Sequence, residues 1–316
     1  MNKQYFKERF PRLSNTYKLV KRGIRAFAKC VKYYFYKIMP VSLYPYFLSK
    51  MYKKYQGVTP DIRGGVLYTE KMQRAKLYDT DPRKSLCSDK YLVRDWVAER
   101  IGEEYLISLI GHYDNSRDID FSSLPDKFVL KTNHASNDVI IVRDKKNLSD
   151  DDISDIRKSL NKALKRNYAL VQGFEMHYTT ITPCIIAEEM MSEEDGSELK
   201  DYKFLCFDGI PYYCWVDCDR HTNHTRNVYD MEWNLMPWNQ GDIPNSPVEI
   251  SKPINFDKMV SVVKTLSKGF SHVRVDLYNI QGKIYFGEMT FTGGSGFTHI
   301  PEKFNRELGL LWKLDC

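Results

Sequence analysis

Near the C-terminal end of the chain, short apolar runs separated by a polar turn predict a β-hairpin. The runs 273–278 and 283–289 are β-prone, and the intervening turn 279–282 ends in glycine. Runs of similar length on either side of a tight turn pair with each other. Residues of the two runs are therefore expected to face one another across the hairpin.

Two carboxylates and one cation stand out on this hairpin. Asp276 and Glu288 occupy near-facing positions, and Arg274 lies two residues before Asp276, on the same strand face. Hard oxygen ligands of this kind suit magnesium that carries a nucleotide's phosphates. The pattern leaves open an alternative, a surface hairpin with a cross-strand charge pair.

A helical spacing of apolar residues extends over 89–101, with Ser88 or Asp89 as the cap and Gly102 as the stop. Lys90 then falls in the first turn, where a positive charge opposes the helix dipole. The placement becomes favourable when an anion neutralises the lysine. A solvated surface lysine is the alternative.

Two β-prone runs, 128–131 and 139–142, flank a small polar loop at 132–138. Lys131 ends the first run, so the loop can cover a phosphate while the lysine neutralises its charge. The loop has no glycine, which excludes a Walker loop and a dinucleotide fingerprint. A plain polar hairpin loop is the competing interpretation.

The middle of the chain is typical of a β-meander with helices beside it. The predicted elements are an amphipathic helix at 150–167, strands at 184–191, 201–207 and 211–216, and a helix at 257–268.

The first 55 residues carry a different pattern, an amphipathic basic helix that begins at Ser14 or Asn15 and ends before Pro40. Its apolar face comprises Ile24, Phe27, Ala28, Val31, Phe35 and Ile38. Fourteen basic residues against one acidic residue give this segment a balance of +13, which leaves −7 for the other 261 residues.

This arm is too charged to span a bilayer and lacks the features of a signal peptide. Its pattern fits binding to an anionic membrane surface. It fits equally a helix that packs on the protein's own body or on a partner chain. Nucleic acid is not expected as a partner, because the acidic body does not continue the basic track.

Length and composition indicate a globular protein. A chain of 316 residues predicts about two domains, and 42% hydrophobic residues supply material for a core. Seven cysteines, an odd number without a C-x-x-C pair, favour a reduced cytosolic protein.

Six short motifs follow the order of the ATP-grasp superfamily. They are Asp89-Lys90, Lys131 before its polar loop, Ala-Glu-Glu-Met-Met at 187–191, Asp-Tyr-Lys-Phe at 201–204, Arg-Val-Asp at 274–276 and Gly-Glu-Met-Thr at 287–290. Over residues 60–310 the chain most resembles the TupA-like, teichuronopeptide-biosynthesis branch. The resemblance implies an α+β ATP-grasp fold that holds ATP between two α+β subdomains, preceded by the basic amphipathic helix.

The resemblance also implies a division of the chain. The expected parts are the arm 1–55, the N-terminal region of the body 56–125, a lid and hinge subdomain 126–200, and a C-terminal catalytic subdomain with the metal site 201–316.

Site residues are carried over from the family motif by motif. The implied ATP-binding residues are the phosphate lysines Lys90 and Lys131, His134 and Ser136 in the lid, Glu188, Glu189, Met190 and Met191 in the hinge, and Lys203 near the phosphates. Asp276 and Glu288 match the magnesium ligands, and Thr290 stands where the family usually has asparagine. The lid departs from the common glycine-rich pattern.

The implied chemistry is ATP-dependent formation of an amide bond. A carboxylate attacks the γ-phosphate, Lys131 and Arg274 offset the developing charge, and an amine captures the acylphosphate. The branch implies surface-polysaccharide biosynthesis, with a hexuronic acid as the carboxylate and an amino acid or small amine as the acceptor. The expected substrate contacts are Arg220, His221, His224, Arg226, Gly293, Gly294 and Ser295.

Two other classes compete with a ligase. A glycosyltransferase would use an Asp-x-Asp metal motif, which Asp217-x-Asp219 and Asp118-x-Asp120 match only as short patterns. The third class is a catalytically idle membrane scaffold, against which the intact set of Lys131, Asp276 and Glu288 argues. The expected location is the cytoplasm, with peripheral attachment to the inner membrane face where the arm binds lipid.

Overall fold

Two antiparallel sheets form the framework of the protein. The computed structural model describes residues 23–24, 27–28, 30–136, 138–193, 198–220 and 222–314. The chain divides into two compact units, residues 1–44 and 45–316. Both sheets belong to the second unit, and the finer division into subdomains stays a prediction.

The first sheet has the strand order β1-β4-β2-β3. Its strands are β1 (Leu109–Tyr113), β2 (Phe128–Thr132), β3 (Ile140–Val142) and β4 (Ile185–Glu189). Burial alternates along β2, so Phe128 and Leu130 point into a core that includes Leu160 of the helix Asp150–Leu164. Lys131 consequently lies on the opposite face of the sheet.

The second sheet has the order β7-β6-β5-β8-β9. Its strands are β5 (Asp201–Phe207), β6 (Ile210–Cys218), β7 (Thr225–Tyr229), β8 (His272–Ile280) and β9 (Lys283–Thr290). One face packs through Phe204, Val275 and Leu277 in a core shared with Val97 and Val263 of the helices Val93–Ile101 and Phe256–Ser267.

The other face of this sheet is divided between packing and charge. Leu205, Phe207 and Trp215 join a core with Met72 of the helix Tyr68–Tyr78 and Leu308 of the helix Glu302–Leu311. The same face also carries the charged residues Asp201, Lys203, Asp276 and Glu288, which line the space between the sheets. The other described helices are Tyr44–Gln56, Pro82–Ser88 and Tyr168–Gln172.

The structure confirms the C-terminal hairpin. Asp276 and Glu288 are direct partners across β8 and β9, and the register shifts after Asp276 so that Gly287 forms a bulge. The turn is tighter than predicted, because Gln281 and Gly282 alone connect the strands with φ values of 49° and 88°.

The helix predicted over 89–101 begins only at Val93. The backbone N–H groups of Tyr91 and Leu92 donate to Asp89 Oδ1 at 2.8 and 3.1 Å. Asp89 thus forms a turn before the helix, and Lys90 lies in this turn rather than in a helical one.

In the first unit, residues 30–38 are helical, and the arm helix as a whole stays a prediction. The predicted caps Ser14 and Asn15 lie outside the described residues. Val31, Phe35 and Ile38 of this helix are exposed, from 45% for Phe35 to 80% for Ile38, whereas Tyr36 is buried. Among the described residues, no helix combines the length and apolar character needed to cross a bilayer.

Candidate active site

A cleft of about 510 Å³ lies between the two sheets. Residues from segments far apart in sequence line it, including most of the residues that the motifs single out. These are Lys90, Lys131, Ser136, Glu188, Glu189, Met190, Met191, Lys203, Arg220, Asp276 and Glu288. The fold therefore brings the predicted phosphate lysines, hinge and metal carboxylates to one place.

Lys131 and Glu188 form an ion pair on the first sheet. Lys131 Nζ lies 2.5 Å from Glu188 Oε2, and Arg94 Nη1 lies 3.5 Å from Glu188 Oε1. The pair forms because β2 and β4 are hydrogen-bonded neighbours with both side chains on the cleft face. Glu188 thus serves Lys131 as a counter-ion in this structure, and its contact with ATP stays a prediction.

Lys90 reaches the same cleft from the turn before its helix. Its Nζ donates to the carbonyl oxygen of Ala135 at 2.6 Å. Burial lowers the pKa of Lys90, and the positive charge of Lys131 lowers it further. The negative charge of Glu288 opposes both effects. A second anion in the cleft would therefore stabilise the charged form of this lysine.

Asn133 is an anchor of the polar loop that the sequence did not reveal. Its Nδ2 donates to Asp89 Oδ2 at 2.8 Å and to the Thr182 carbonyl at 2.9 Å, and its Oδ1 accepts from the Cys184 N–H at 2.8 Å. Its backbone carbonyl accepts from the Lys90 N–H at 3.0 Å. One buried amide thereby joins the turn of Lys90, the loop after Lys131 and the start of β4.

His134 does not line the cleft. It is buried, with its ring nitrogens 3.3 Å from Asn133 Oδ1 and 3.2 Å from the Arg166 carbonyl. Burial lowers the pKa of its imidazole, so the ring stays neutral near pH 7. In the predicted lid, Ser136 lines the cleft, whereas His134 is buried and packs under the loop.

On the second sheet, Arg274 spans both predicted metal carboxylates. Its Nε and Nη2 donate to the two oxygens of Asp276 at 2.7 Å each, and Nη2 also donates to Glu288 Oε1 at 2.8 Å. Burial disfavours the charged guanidinium, but Asp276 outweighs this and raises the pKa of Arg274. Burial would raise the pKa of Glu288, yet Arg274 and Lys90 hold it well below its usual range.

Thr290 supports Glu288. Its hydroxyl donates to Glu288 Oε1 at 2.8 Å and accepts from Arg274 Nη2 at 3.1 Å. In this arrangement Thr290 fixes the rotamer of the carboxylate, and its role as a third metal ligand stays a prediction.

Lys203 is surrounded by three carboxylates, of which Asp201 and Asp217 were not among the predicted site residues. Its Nζ lies 2.8 Å from Asp201, 3.0 Å from Asp276 and 3.9 Å from Asp217. Burial alone lowers the pKa of Lys203, but Asp201 and Asp276 more than compensate and raise it. Alternation along β5 places Asp201 and Lys203 on one face, which was the available sequence signal.

The donor set fits a hydrated magnesium ion that shares its coordination with phosphates. Asp276 and Glu288 supply two hard carboxylates at the cleft, which matches the usual number for such an ion. Within the described part of the chain, no three His, Cys, Asp or Glu side chains form a metal cluster by themselves. A metal here would therefore depend on oxygens supplied by the nucleotide.

The predicted substrate residues that the structure describes between 220 and 226 occupy two environments. Arg220 lines the cleft and pairs with Asp201. Arg226 forms a bidentate pair with Asp217, at 2.5 and 2.7 Å, and His224 Nε2 lies 3.3 Å from the same carboxylate. His221 lies outside the described residues.

The Asp-x-Asp patterns have other tasks. The buried Asp217 carboxylate is occupied by Arg226, and Asp120 accepts hydrogen bonds from the N–H and hydroxyl of Ser122 at 2.9 and 2.6 Å. Asp118 and Asp120 are exposed, but none of the four aspartates lines the cleft, so the patterns offer no support for a sugar-nucleotide site there.

The glycine-rich loop Gly293–Gly296 follows β9 after two residues and forms a tight turn, in which Gly294 and Ser295 are left-handed with φ values of 57° and 55°. A Cβ placed on Gly293 would lie 3.2 Å from Arg274 Nη1. The loop therefore begins beside the guanidinium that bridges the metal carboxylates, although it does not line the cleft itself.

Comparison with solved structures finds ligases at low identity. The D-alanine–D-alanine ligase of Bacillus anthracis in complex with ATP shares 16% identity at a TM-score of 0.36, over 65% of this chain and 54% of that one. The corresponding enzyme of Helicobacter pylori shares 14% at 0.37, over 72% and 62%. A D-cycloserine synthetase shares 13% at 0.37, over 72% and 71%. The aligned part of this chain thus spans about half of the first ligase.

A comparison with curated proteins finds no match. Residues 70–313, in contrast, match the family described as TupA-like ATPgrasp. This match covers more than half of the chain and confirms the resemblance seen in the six motifs. The α+β architecture with two antiparallel sheets agrees with the fold expected from that resemblance. The chain therefore belongs to the TupA-like ATP-grasp family.

Proposed function

We propose that this protein is an ATP-dependent ligase that joins a carboxylate to an amine. The observation that carries the proposal is the cleft in which two lysines of separate segments face two carboxylates of the β8–β9 hairpin. Lys90 and Lys131 supply positive charge for phosphates, and Asp276 and Glu288 supply negative charge for magnesium. A site with both signs of charge on opposite walls suits a magnesium nucleotide.

The proposed nucleotide contacts follow from the position of each residue on the cleft wall. The segment Glu188–Met191 leaves β4 at the cleft and offers backbone groups to adenine. Lys131 exchanges its contact with Glu188 for a phosphate oxygen. Lys203 is already enclosed by carboxylates, so we assign it mainly to holding Asp276 in place.

The proposed reaction needs no side-chain nucleophile. The substrate carboxylate takes the γ-phosphoryl group of ATP, the amine attacks the resulting acylphosphate, and ADP and phosphate leave. Magnesium, when bound, offsets charge on the transferring phosphoryl group. Arg274 is held in one orientation by its two carboxylates, so its charge is positioned before the reaction begins.

We further propose a hexuronic acid as the carboxylate substrate and an amino acid or small amine as the acceptor, in surface-polysaccharide biosynthesis. The branch to which the motifs point supports this choice. Arg220 on the cleft wall and Arg226 beside Asp217 provide cations suited to an acidic sugar, and His224 offers a polar imidazole beside the same carboxylate. The loop from Gly293 to Ser295 would then border the reacting carboxylate.

Release of ADP tests the activity. Full-length protein is incubated with magnesium, ATP, D-glucuronic or D-galacturonic acid and an amino acid, and ADP and amide are quantified. We expect Lys131→Ala to lower turnover by about 10² or more, while Lys146→Ala, which removes an exposed lysine paired with Asp126, leaves it unchanged. Release of UDP from a sugar nucleotide without ATP consumption would instead identify a glycosyltransferase.

For the arm, we propose attachment to an anionic membrane surface. The exposed apolar side chains of the helix at 30–38, together with Lys32 and Lys37, support this placement. Each basic residue near such a surface contributes about 1 kcal/mol.

Sedimentation with vesicles tests the arm. The full chain should bind phosphatidylglycerol vesicles, phosphatidylcholine vesicles should bind it weakly, and added salt should release it. A chain that lacks residues 1–39 should keep its activity on soluble substrates. Unfolding of the truncated chain would show that the arm belongs to the core or to a subunit interface.

A further inference from the structure

Lys76 is a buried lysine that the cleft does not use. It lies in the helix Tyr68–Tyr78, is 1% exposed, and its Nζ donates to Gln73 Oε1 at 2.8 Å. The same ammonium donates to the carbonyl oxygen and to Oγ of Ser295, at 2.9 and 3.0 Å. Burial of an ammonium group costs considerable free energy unless such hydrogen-bond partners compensate for the lost hydration. Two of its three polar partners belong to one residue of the glycine-rich loop.

Glu175 holds the same loop with the opposite charge. It is 3% exposed, its Oε1 accepts from the Thr292 hydroxyl at 2.6 Å, and it also has a side-chain hydrogen bond with Ser295. Gly173 and Phe174 precede it at φ values of 132° and 62°, a sharp change of direction that brings the carboxylate inward. Burial raises the pKa of Glu175, and the charge of Lys76 opposes this effect.

The loop has a backbone that requires such support. Gly294, Ser295 and Gly296 are all left-handed, with φ values of 57°, 55° and 66°, and Ser295 has no glycine freedom to adopt this conformation. Gln73 Nε2 donates to the Gly296 carbonyl at 3.1 Å, which holds the far end of the loop. At the near end, Gly293 lies beside Arg274.

We propose that Lys76 and Glu175 are positioning residues that hold the Gly293–Gly296 loop in place to bind the carboxylate substrate beside Arg274. This inference rests on the proposed ligase function and assigns a task to residues outside its cleft. Lys76 and Glu175 both bind Ser295, and Glu175 also binds Thr292. These contacts hold the left-handed turn, which keeps the backbone of Gly293 beside the guanidinium of Arg274. Loss of either charge should let the loop relax and weaken binding of the carboxylate, while the nucleotide site stays intact.

The proposal is tested by comparing the KM for the carboxylate substrate with the KM for ATP in each variant. Full-length enzyme is assayed with ATP, D-glucuronic acid and hydroxylamine. The carboxylate takes the γ-phosphoryl group and releases ADP, and the hydroxylamine nitrogen then displaces phosphate to give a hydroxamate, which is quantified as its coloured iron(III) complex. We expect Lys76→Met and Glu175→Gln to raise the KM for D-glucuronic acid at least tenfold and to leave the KM for ATP within twofold. Lys76→Arg keeps the charge and should show a smaller rise.

Lys71 provides the matched control. It lies on the same helix, and its Nζ donates to the carbonyls of Gly309 and Trp312 at 2.8 and 2.7 Å, away from the loop. Lys71→Met should lower thermal stability without changing the KM for D-glucuronic acid. Equal effects of Lys71→Met and Lys76→Met on both KM values would overturn the positioning role.

Hydrogen–deuterium exchange separates this proposal from the proposed function. In Lys76→Met, or in Glu175→Gln where the first variant fails to fold, amides of residues 293–297 should exchange at least tenfold faster, while residues 273–278 keep their protection. Absence of hydroxamate in the wild-type protein would count against the uronic-acid substrate. The exchange result would still show whether Lys76 and Glu175 hold the loop in place. Unchanged exchange of the loop would refute this role.

Discussion

Replacement of Asn133 by alanine should destabilise the protein strongly and weaken its binding of magnesium ATP. The side chain is 1% exposed and makes three short hydrogen bonds, to the Asp89 carboxylate, the Thr182 carbonyl and the Cys184 N–H. A hydrogen bond to a charged group contributes about 1.5–3 kcal/mol and a neutral one about 0.5–1.5 kcal/mol. The Asn133→Ala variant should therefore lose about 4 kcal/mol of unfolding free energy, since it removes three hydrogen bonds, two of them to the buried residues Asp89 and Cys184.

Chemical denaturation of the full chain measures this loss. Asn147→Ala is the matched control, because Asn147 Nδ2 donates to Asp144 Oδ2 at 2.9 Å on the exposed surface. That variant should change the unfolding free energy by no more than about 0.5 kcal/mol. Calorimetric titration with magnesium ATP should show at least tenfold weaker binding for Asn133→Ala, because the turn of Lys90 and the loop after Lys131 lose their common anchor. A stability loss no larger than that of Asn147→Ala would refute the anchoring role.

Three further outcomes are expected. Burial lowers the pKa of His177 to about 3, so only the unfolded state takes up a proton at this residue as the pH falls below about 6.5. The free energy of unfolding should therefore decrease by about 1.4 kcal/mol per pH unit towards pH 3. Denaturation of His177→Leu should show a shallower pH dependence. Gly309→Ala should cost several kcal/mol in thermal unfolding, because its Cβ would lie 1.9 Å from the Val66 carbonyl oxygen, whereas Gly23→Ala meets no atom within 4 Å and should be tolerated. Glu288→Gln should reduce ADP release by about 10² or more with the fold retained, and equal activity in Glu288→Gln and in the exposed control Glu302→Gln would contradict a metal-ligand role.

Local rules were sufficient for the hairpin. Alternation with period two and a glycine turn predicted that Asp276 and Glu288 would pair, and they are direct partners in the sheet. The same rules placed Lys131 at the end of its strand, followed by a polar loop. These features depend on interactions within about twenty residues, where the periodicity of the chain determines which side chains share a face.

Local rules did not predict the start of the helix, because hydrogen bonds to a side chain competed with helix propensity there. The helix expected from 89 starts at Val93, because the carboxylate of Asp89 accepts N–H bonds from the next turn and from Asn133. Asp, Asn and Ser side chains offer the backbone such alternatives to a helix. Whether they do so depends on a partner that the helical pattern does not contain, here an amide 44 residues later in the chain.

The ordered motifs, read as a family resemblance, predicted the fold and the two lysines and two carboxylates of the cleft. Tertiary structure alone decided what surrounds them. The three carboxylates around Lys203 come from three different strands. Lys76 meets Ser295 across 219 residues of sequence. Periodicity determines the face on which a residue lies, but the identity of its partner depends on which faces pack together. Buried charges such as Lys76 are stable only after that packing has supplied their hydrogen-bond partners.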